Sequence, residues 1–317
     1  MDSADLELFE RSVRQATERH TGADLDGALT ELGWPDALAA DPFAAVAILF
    51  PLLGAANATS GAIDQVVTTA LGLQTNGTVA AVLPPLGAWT APGERREGRL
   101  SIRGLGSGAL RRAERAVVAT TADASLVTVA TADLELRPAS GIDPDFGVVE
   151  VRADGAAGGA CVEPAGRWEA AVVLAQLATS YEMLGAARTM LALAREHALE
   201  RIQYGQPISR FQAVRHRLAE TLVVIEAADA VATAARVAPS PTLAGAAKAL
   251  AGRGARTAAR HCQQVLAGVG FTAEHPFHRY YRRILLLDQL FGSEHALTAD
   301  FGDQLLRSRR LPTLLPL

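Results

Sequence analysis

Within a single helical turn the chain sets out a cation, an amide and an aromatic ring, Arg201, Gln203 and Tyr204. A guanidinium takes two phosphate oxygens at once and a tyrosine ring offers a flat apolar face, so the trio suits a phosphate linked to an aromatic base. Glu182 stands on an otherwise apolar helical stretch, where a carboxylate serves either as a proton acceptor or as a capped or interface residue. The two cysteines, Cys161 and Cys262, lie far apart and lack metal-ligand spacing, so a buried apolar role is expected for each.

The trio sits at a corner between helical patterns. Gly205 can take the left-handed conformation that ends a helix, and Pro207 cannot continue one. Ser209 is expected to start the next helix, its hydroxyl and the Gln212 amide forming a capping box. Upstream, from Arg167 to Ile202, apolar residues such as Trp168, Ala171, Ala175, Ala178, Met183 and Met190 recur at helical spacing. Downstream, Phe211, Val214, Leu218, Leu222 and Ile225 do the same. Pro239-Ser240-Pro241 ends that helix and opens a third, with Ser240 at the N-cap, running to about Leu266. Helices near 276–290 and 293–308 complete a bundle of four to five helices.

The preceding chain divides in two. Residues 3–20 and 23–32 read as helices, the second ended by Gly33-Trp34-Pro35, and Phe43–Leu73 as one or two nearly apolar helices punctuated by Asn57–Gly61. The apolar run from Pro42 to Ala58 is interrupted by Pro51 and Gly54 and is shorter than the roughly 20 residues that cross a bilayer, so a buried helix is expected. After Thr78 come short β-rich runs: Val79–Leu83, Leu100–Ile102, Val117–Thr121, Leu126–Ala130, Leu134–Leu136 and Val148–Val151. Gly104, Gly106 and Gly108 read as a hairpin turn, because no Lys-Ser/Thr and no amphipathic helix follows to make a phosphate loop. The expected architecture is mostly α with a small β domain. An N-terminal helical domain spans 1–77, a central barrel- or sandwich-like β domain 78–164, and the helical bundle 165–317.

Composition narrows the function classes. In 317 residues with a formal net charge of −4, Lys248 is the only lysine, and no run of arginines lacks nearby acids. No nucleic-acid or anionic-membrane partner is indicated. The acidic start, Met1-Asp2-Ser3-Ala4-Asp5, is unlike a signal peptide, so an unprocessed cytoplasmic protein is expected.

Two motifs carry a family resemblance. Arg201-x-Gln203-Tyr204-Gly205-x-Pro207-Ile208, followed by Phe211-Gln212, resembles the Arg-x-x-Phe-Gly-x-x-Ile...Gln signature in the C-terminal domain of acyl-CoA dehydrogenases, flavoproteins that desaturate acyl-CoA thioesters. The segment from Gln264 through Gly268, Gly270, Phe271, Glu274 and Pro276 to Arg279 and Arg282 resembles a second signature, with Ala267 in place of its first glycine. The resemblance covers roughly residues 165–310 and is faint before them. It implies FAD as cofactor. Arg201 would pair with the pyrophosphate, Gln203 and Tyr204 would lie along the cofactor, and Gln264 with Gly268 would approach from the neighbouring subunit. Ser293 replaces a family threonine, and Gln212 and His295 are weaker candidates. Tyr280-Tyr281 would pack in the bundle and Arg279 and Arg282 would form ion pairs, rearranged because Arg283 stands where the family usually has Asp.

The same resemblance shows what is missing. The family's base is a glutamate before Gly-Thr, and in Gln289-Leu290-Phe291-Gly292-Ser293 its place is taken by Phe291; the alternative position, on the long helix, falls on Ala175. The Thr-Glu and Gly-Ser pattern of the family's middle domain is absent too. Together these features resemble the small subunit of the heteromeric α2β2 acyl-CoA dehydrogenases with which Actinobacteria degrade steroids. That implies a homologous larger subunit supplying the glutamate, a steroid-derived acyl-CoA substrate, and electron-transfer flavoprotein as acceptor. A non-catalytic scaffold without cofactor and an acyl-CoA oxidase-like flavoenzyme are the alternatives.

Overall fold

Helices open and close the chain, with two small sheets between them. The computed structural model describes residues 3–73, 78–96, 99–121, 125–141, 143–156, 161–162 and 166–309. The first five helices are α1 (Ser3–Arg19), α2 (Ala23–Glu31), α3 (Trp34–Ala40), α4 (Pro42–Ala56) and α5 (Ala62–Ala70). Gly33-Trp34-Pro35, expected to end a helix, instead begins one: Gly33 turns the chain at φ +80° and Pro35 occupies the first turn of α3, where its missing N–H is not needed. Trp34 is fully buried and its indole N–H donates to Gln65 Oε1 at 2.6 Å.

The apolar run expected as a buried helix is one, and α4 runs unbroken through Pro51 and Gly54. Their role is packing. A methyl group on Gly54 would collide with the Glu182 carbonyl of the long helix α6 (Gly166–Glu200), and one on Gly185 would collide with the Pro51 carbonyl. Each helix thus brings a glycine to the other's backbone. Gly185→Ala is expected to force the pair apart and destabilise the chain by about 1–3 kcal/mol, read as a lowered urea-unfolding midpoint; an unchanged midpoint would refute the close crossing.

The β region forms a sandwich. Strands β1 (Val79–Ala81), β2 (Gly93–Arg96), β3 (Arg99–Gly106), β4 (Arg115–Ala119), β5 (Leu126–Ala130), β6 (Glu135–Pro138), β7 (Val149–Ala156) and β8 (Cys161–Val162) make two four-stranded sheets, ordered β1-β4-β5-β8 and β2-β3-β7-β6. Among the described strands of the two sheets only β1 and β4 pair in parallel. Alternate side chains, among them Val82, Ile102, Val118, Val127, Val149 and Val151, fill the space between the sheets. The glycine turn expected at 104–108 is corrected: Gly104 and Gly106 lie within β3, paired with Val151 and Val149. A side chain at Gly104 would meet the Leu83 carbonyl, so the reason for glycine there is close approach, not a bend.

The bundle follows as expected, with α7 (Gln212–Val237), α8 (Pro241–Leu266), α9 (Phe277–Gln289) and α10 (Glu294–Ser308) around α6. Ser240 caps α8, its hydroxyl accepting from Leu243 N–H at 3.2 Å. By length and composition α6 alone among the described helices could cross a membrane, but 94% of its apolar window is buried, against α4, α5, α7, α8 and α9. Small residues such as Ala175, Ala178, Ala251 and Ala255 let these helices approach closely. Cys262 is buried as expected; the side chain of Cys161 lies outside the described residues.

Candidate functional site

The corner after α6 is a tight hairpin. Strand β9 (Ile202–Gln203) pairs antiparallel with β10 (Gln206–Pro207), and both linking residues have positive φ, Tyr204 at +52° and Gly205 at +78°. That is the geometry that lets two residues reverse a twisted ribbon. Gly205 is left-handed as expected, but it closes a hairpin where a helix cap was expected. The Ser209–Gln212 capping box does not form, because a 3-10 turn occupies Ile208–Arg210 and α7 begins at Gln212 behind Phe211. Tyr204, 92% exposed, packs edge-on to Phe211 with ring centroids 6.1 Å apart.

Across from the hairpin, α8 ends where Ala267 turns at φ +51°, ψ −132°, a conformation far easier for the glycine that the family motif has there. A 3-10 turn, Ala267–Phe271, follows, and nothing stands within 4 Å of where a Gly268 side chain would be. Hairpin and turn enclose one cavity of about 880 Å³. Arg201, Gln203, Tyr204, Gln264 and Gly268 all line it, so five of the six residues assigned to the cofactor by resemblance converge within one chain. Ser293 does not join them; its hydroxyl caps α10 by accepting from Ala296 N–H. Arg217 on α7 adds a second guanidinium, and only its place one turn after Val214 on the helix face marked it in the sequence. No Asp or Glu lines the cavity, and His197 beside it has its pKa lowered by burial and by Arg201 and His275. Two guanidiniums, two amides, an exposed ring and an open glycine backbone fit the adenosine diphosphate portion of FAD.

Around Phe291 the arrangement is closed. Phe291 is 1% exposed and turns at φ +56°, and its carbonyl accepts from Gln176 Nε2 at 3.0 Å. Lys248, fully buried, donates to the carbonyls of Asp288 at 3.0 Å and Gly292 at 3.1 Å, and burial lowers its pKa to about 8. From the β region, Gly87 N–H donates to the Gln289 carbonyl at 2.8 Å, and Trp89 packs against Gly292. Beside this turn lies a smaller cavity of about 330 Å³ between Trp89 and Trp168, with Glu169 and Asp300 on its wall, carboxylates that sequence reasoning did not single out. Ala175 is buried, so neither base position of the family carries an ionisable side chain.

Glu182 belongs to a different cluster. Arg283, with no exposed surface, donates to Asp143 Oδ2 at 2.7 Å, Glu182 Oε1 at 3.3 Å, the Ala58 carbonyl at 2.8 Å and Thr59 Oγ1 at 3.0 Å. Its guanidinium carbon stands 4.7 Å from the centre of the Phe146 ring. Burial lifts the Glu182 pKa to about 7 against the pull of Arg283. Glu182 lines none of the cavities above. The ion pairs expected of Arg279 and Arg282 are not formed among the described residues; the rearranged pair is that of Arg283. Of the pair expected to pack in the bundle, Tyr280 does, its hydroxyl donating to the Ala55 carbonyl at 2.9 Å, whereas Tyr281 is exposed.

Residues 170–306 match the family described as acyl-CoA dehydrogenase, C-terminal domain. The acyl-CoA dehydrogenase IpdE2 of Mycobacterium tuberculosis is 41% identical over 123 residues, which are 39% of this chain and 37% of that protein. The match therefore spans well under half of the relative's length. In structure, the ChsE4-ChsE5 complex from Mycobacterium tuberculosis superposes with a TM-score of 0.78 at 18% identity, covering 99% of both chains. The Tcur3481-Tcur3483 steroid ACAD variant gives 0.80 at 18% identity, over 96% of this chain and 99% of that one. Residues 170–306 thus match the C-terminal domain of acyl-CoA dehydrogenases, and the chain shares the fold of these solved structures along nearly its whole length.

Proposed function

We propose that the chain is a subunit of a flavin-dependent acyl-CoA dehydrogenase that performs α,β-desaturation of an acyl-CoA thioester and takes its catalytic base from a homologous larger subunit. The observation that carries this reading is the cavity joining Arg201, Gln203 and Tyr204 to Gln264 and Gly268, set against base positions occupied by Phe291 and Ala175. Bound FAD supplies the hydride acceptor for the β-carbon. This chain's residues bind and orient: Arg201 and Arg217 neutralise the diphosphate, Gln203 and Gln264 offer amides to its oxygens and ribose, and Tyr204 covers the base. Proton abstraction at the α-carbon needs a carboxylate within hydrogen-bond reach, and the partner provides it. A steroid-derived thioester is supported by the steroid ACAD among the structural neighbours. Electron-transfer flavoprotein as acceptor and a cytoplasmic location complete the reading by analogy with the family.

Purified with a homologous larger subunit, the chain is expected to give a yellow heteromer, and Arg201→Ala to weaken flavin retention by about 1.5–3 kcal/mol, with Gln264→Ala milder. Flavin absorbance and the dissociation constant measure both. Unchanged affinity in both variants would remove the cofactor assignment, a colourless complex would leave the scaffold reading, and a yellow, active homo-oligomer of this chain alone would refute the heteromer.

A further inference from the structure

The cavity of about 330 Å³ beside the Phe291 turn belongs to neither the Arg201 corner nor the Arg283 cluster. It lies between the first turns of α6, the start of α8 and one face of α10, with Trp89 on its wall from the β region. Trp168 Nε1 donates to the Trp89 carbonyl at 3.3 Å, which ties the two tryptophans together. Glu169 and Asp300 line the same space, and neither forms an ion pair among the described residues. The Gln304 amide steadies Asp300: Nε2 donates to Asp300 Oδ2 at 2.6 Å, and Oε1 accepts from Thr242 Oγ1 at 3.4 Å. No Lys, Arg or His among the described residues lines the cavity. Arg167, beside Trp168 in sequence, donates to the Leu71 carbonyl at 2.8 Å, and Lys248, one turn beyond Gly245, is held by the carbonyls of Asp288 and Gly292. Gln176 is 3% exposed and donates Nε2 to the Phe291 carbonyl, which fixes its amide and leaves Oε1 an acceptor without a partner among the described residues.

Two carboxylates with no counter-ion repel phosphates, so no nucleotide suits this wall. A calcium or magnesium ion is served no better, since it takes six or more oxygens and much of the lining is indole and aliphatic carbon. An indole attracts an organic cation, and the unpartnered Gln176 oxygen requires an N–H donor, which a protonated amine has and a quaternary ammonium lacks. We propose that this cavity binds a small protonated amine, its apolar body against Trp89, Trp168 and Val172 and its ammonium shared by Asp300, Glu169 and Gln176 Oε1. The volume, at the lower end of the range for small-molecule sites, favours a compact ligand. The cavity's own chemistry carries this assignment, which stands whether or not the chain binds flavin.

Titration of the full chain with cyclohexylmethylamine at neutral pH, followed by tryptophan fluorescence and calorimetry, tests it. Two of the three tryptophans line the cavity and the third, Trp34, is fully buried among the N-terminal helices, so a saturable spectral change is expected. Cyclohexylmethanol has the same body without the charge and is expected to bind at least about tenfold more weakly. Asp300→Asn combined with Glu169→Gln is expected to remove that preference, lowering amine affinity by about tenfold or more and leaving the alcohol's unchanged. Glu169 is exposed and Asp300 half-buried, and the new amide at 300 still accepts from Gln304, so the variant keeps its fold. Glu169 also complements the dipole of α6 from its first turn, and the ratio of the two ligands' affinities is insensitive to that structural role. Equal affinity for amine and alcohol overturns the proposal, as does amine binding indifferent to the double substitution. The absence of any saturable response to millimolar amine overturns it too.

Discussion

Arg283→Met is expected to lower the stability of the folded chain by about 3–5 kcal/mol, because it leaves buried carboxylates without their counter-ion. Glu182 and Asp143 lose a shared partner, and the Ala58 carbonyl and Thr59 hydroxyl lose a donor. These partners belong to α6, to the loop before β7 and to the α4–α5 connection, so one substitution loosens the joint between the helices and the sandwich. The penalty should depend on pH. Burial raises the Glu182 pKa to about 7, so its contribution favours folding fully below the unfolded value and is lost as pH rises through about 7. Arg283 lowers that pKa, and without it the pKa rises further. The gap between variant and natural protein should therefore widen from about pH 5.5 to about pH 8 in urea unfolding. A gap that narrowed, or an unchanged midpoint at the higher pH, would show that the cluster is not an ion pair in the folded chain.

Why that cluster escaped sequence reasoning is physical. Its members are far apart in the chain, and nothing local to Arg283 marks it as buried, since helix α9 around it is rich in exposed arginines. The hairpin corner was legible because its determinants are adjacent: Gly205 and Pro207 must break the helix, and Arg201, Gln203 and Tyr204 lie within the same few residues. Even there the local rule chose the wrong device, a helix cap and a capping box, because pairing of β9 with β10 depends on two dipeptides too short to show a period. Strand β2, Gly93-Glu94-Arg95-Arg96, was invisible for a related reason: its polar residues show no apolar alternation, and it exists because β3 is there to pair with it. Gly104 was read as part of a turn when it serves close approach, which only the neighbouring element reveals. Ser240 succeeded because a cap is decided within four residues.

The last expectation concerns the proton. A buried glutamate lifted to about 7 has the property sought in a general base, and Glu182 has it. Its geometry argues the other way: it is held by Arg283 in a cluster that lines none of the cavities described above, under the crossing where Gly54 meets its own backbone. A carboxylate so placed cannot reach a thioester without dismantling the joint. On the reading proposed above, Glu182→Gln is expected to leave turnover of the heteromer within about tenfold, a barrier change of roughly 1.4 kcal/mol, since the amide can still accept from Arg283. Replacing the larger subunit's glutamate with Gln is expected instead to abolish reduction of the bound flavin by substrate while leaving the flavin in place. Stopped-flow reduction separates the two. If Glu182→Gln were the variant that holds its flavin but cannot be reduced, this chain would be the one that abstracts the proton and the division of labour between the subunits would be reversed.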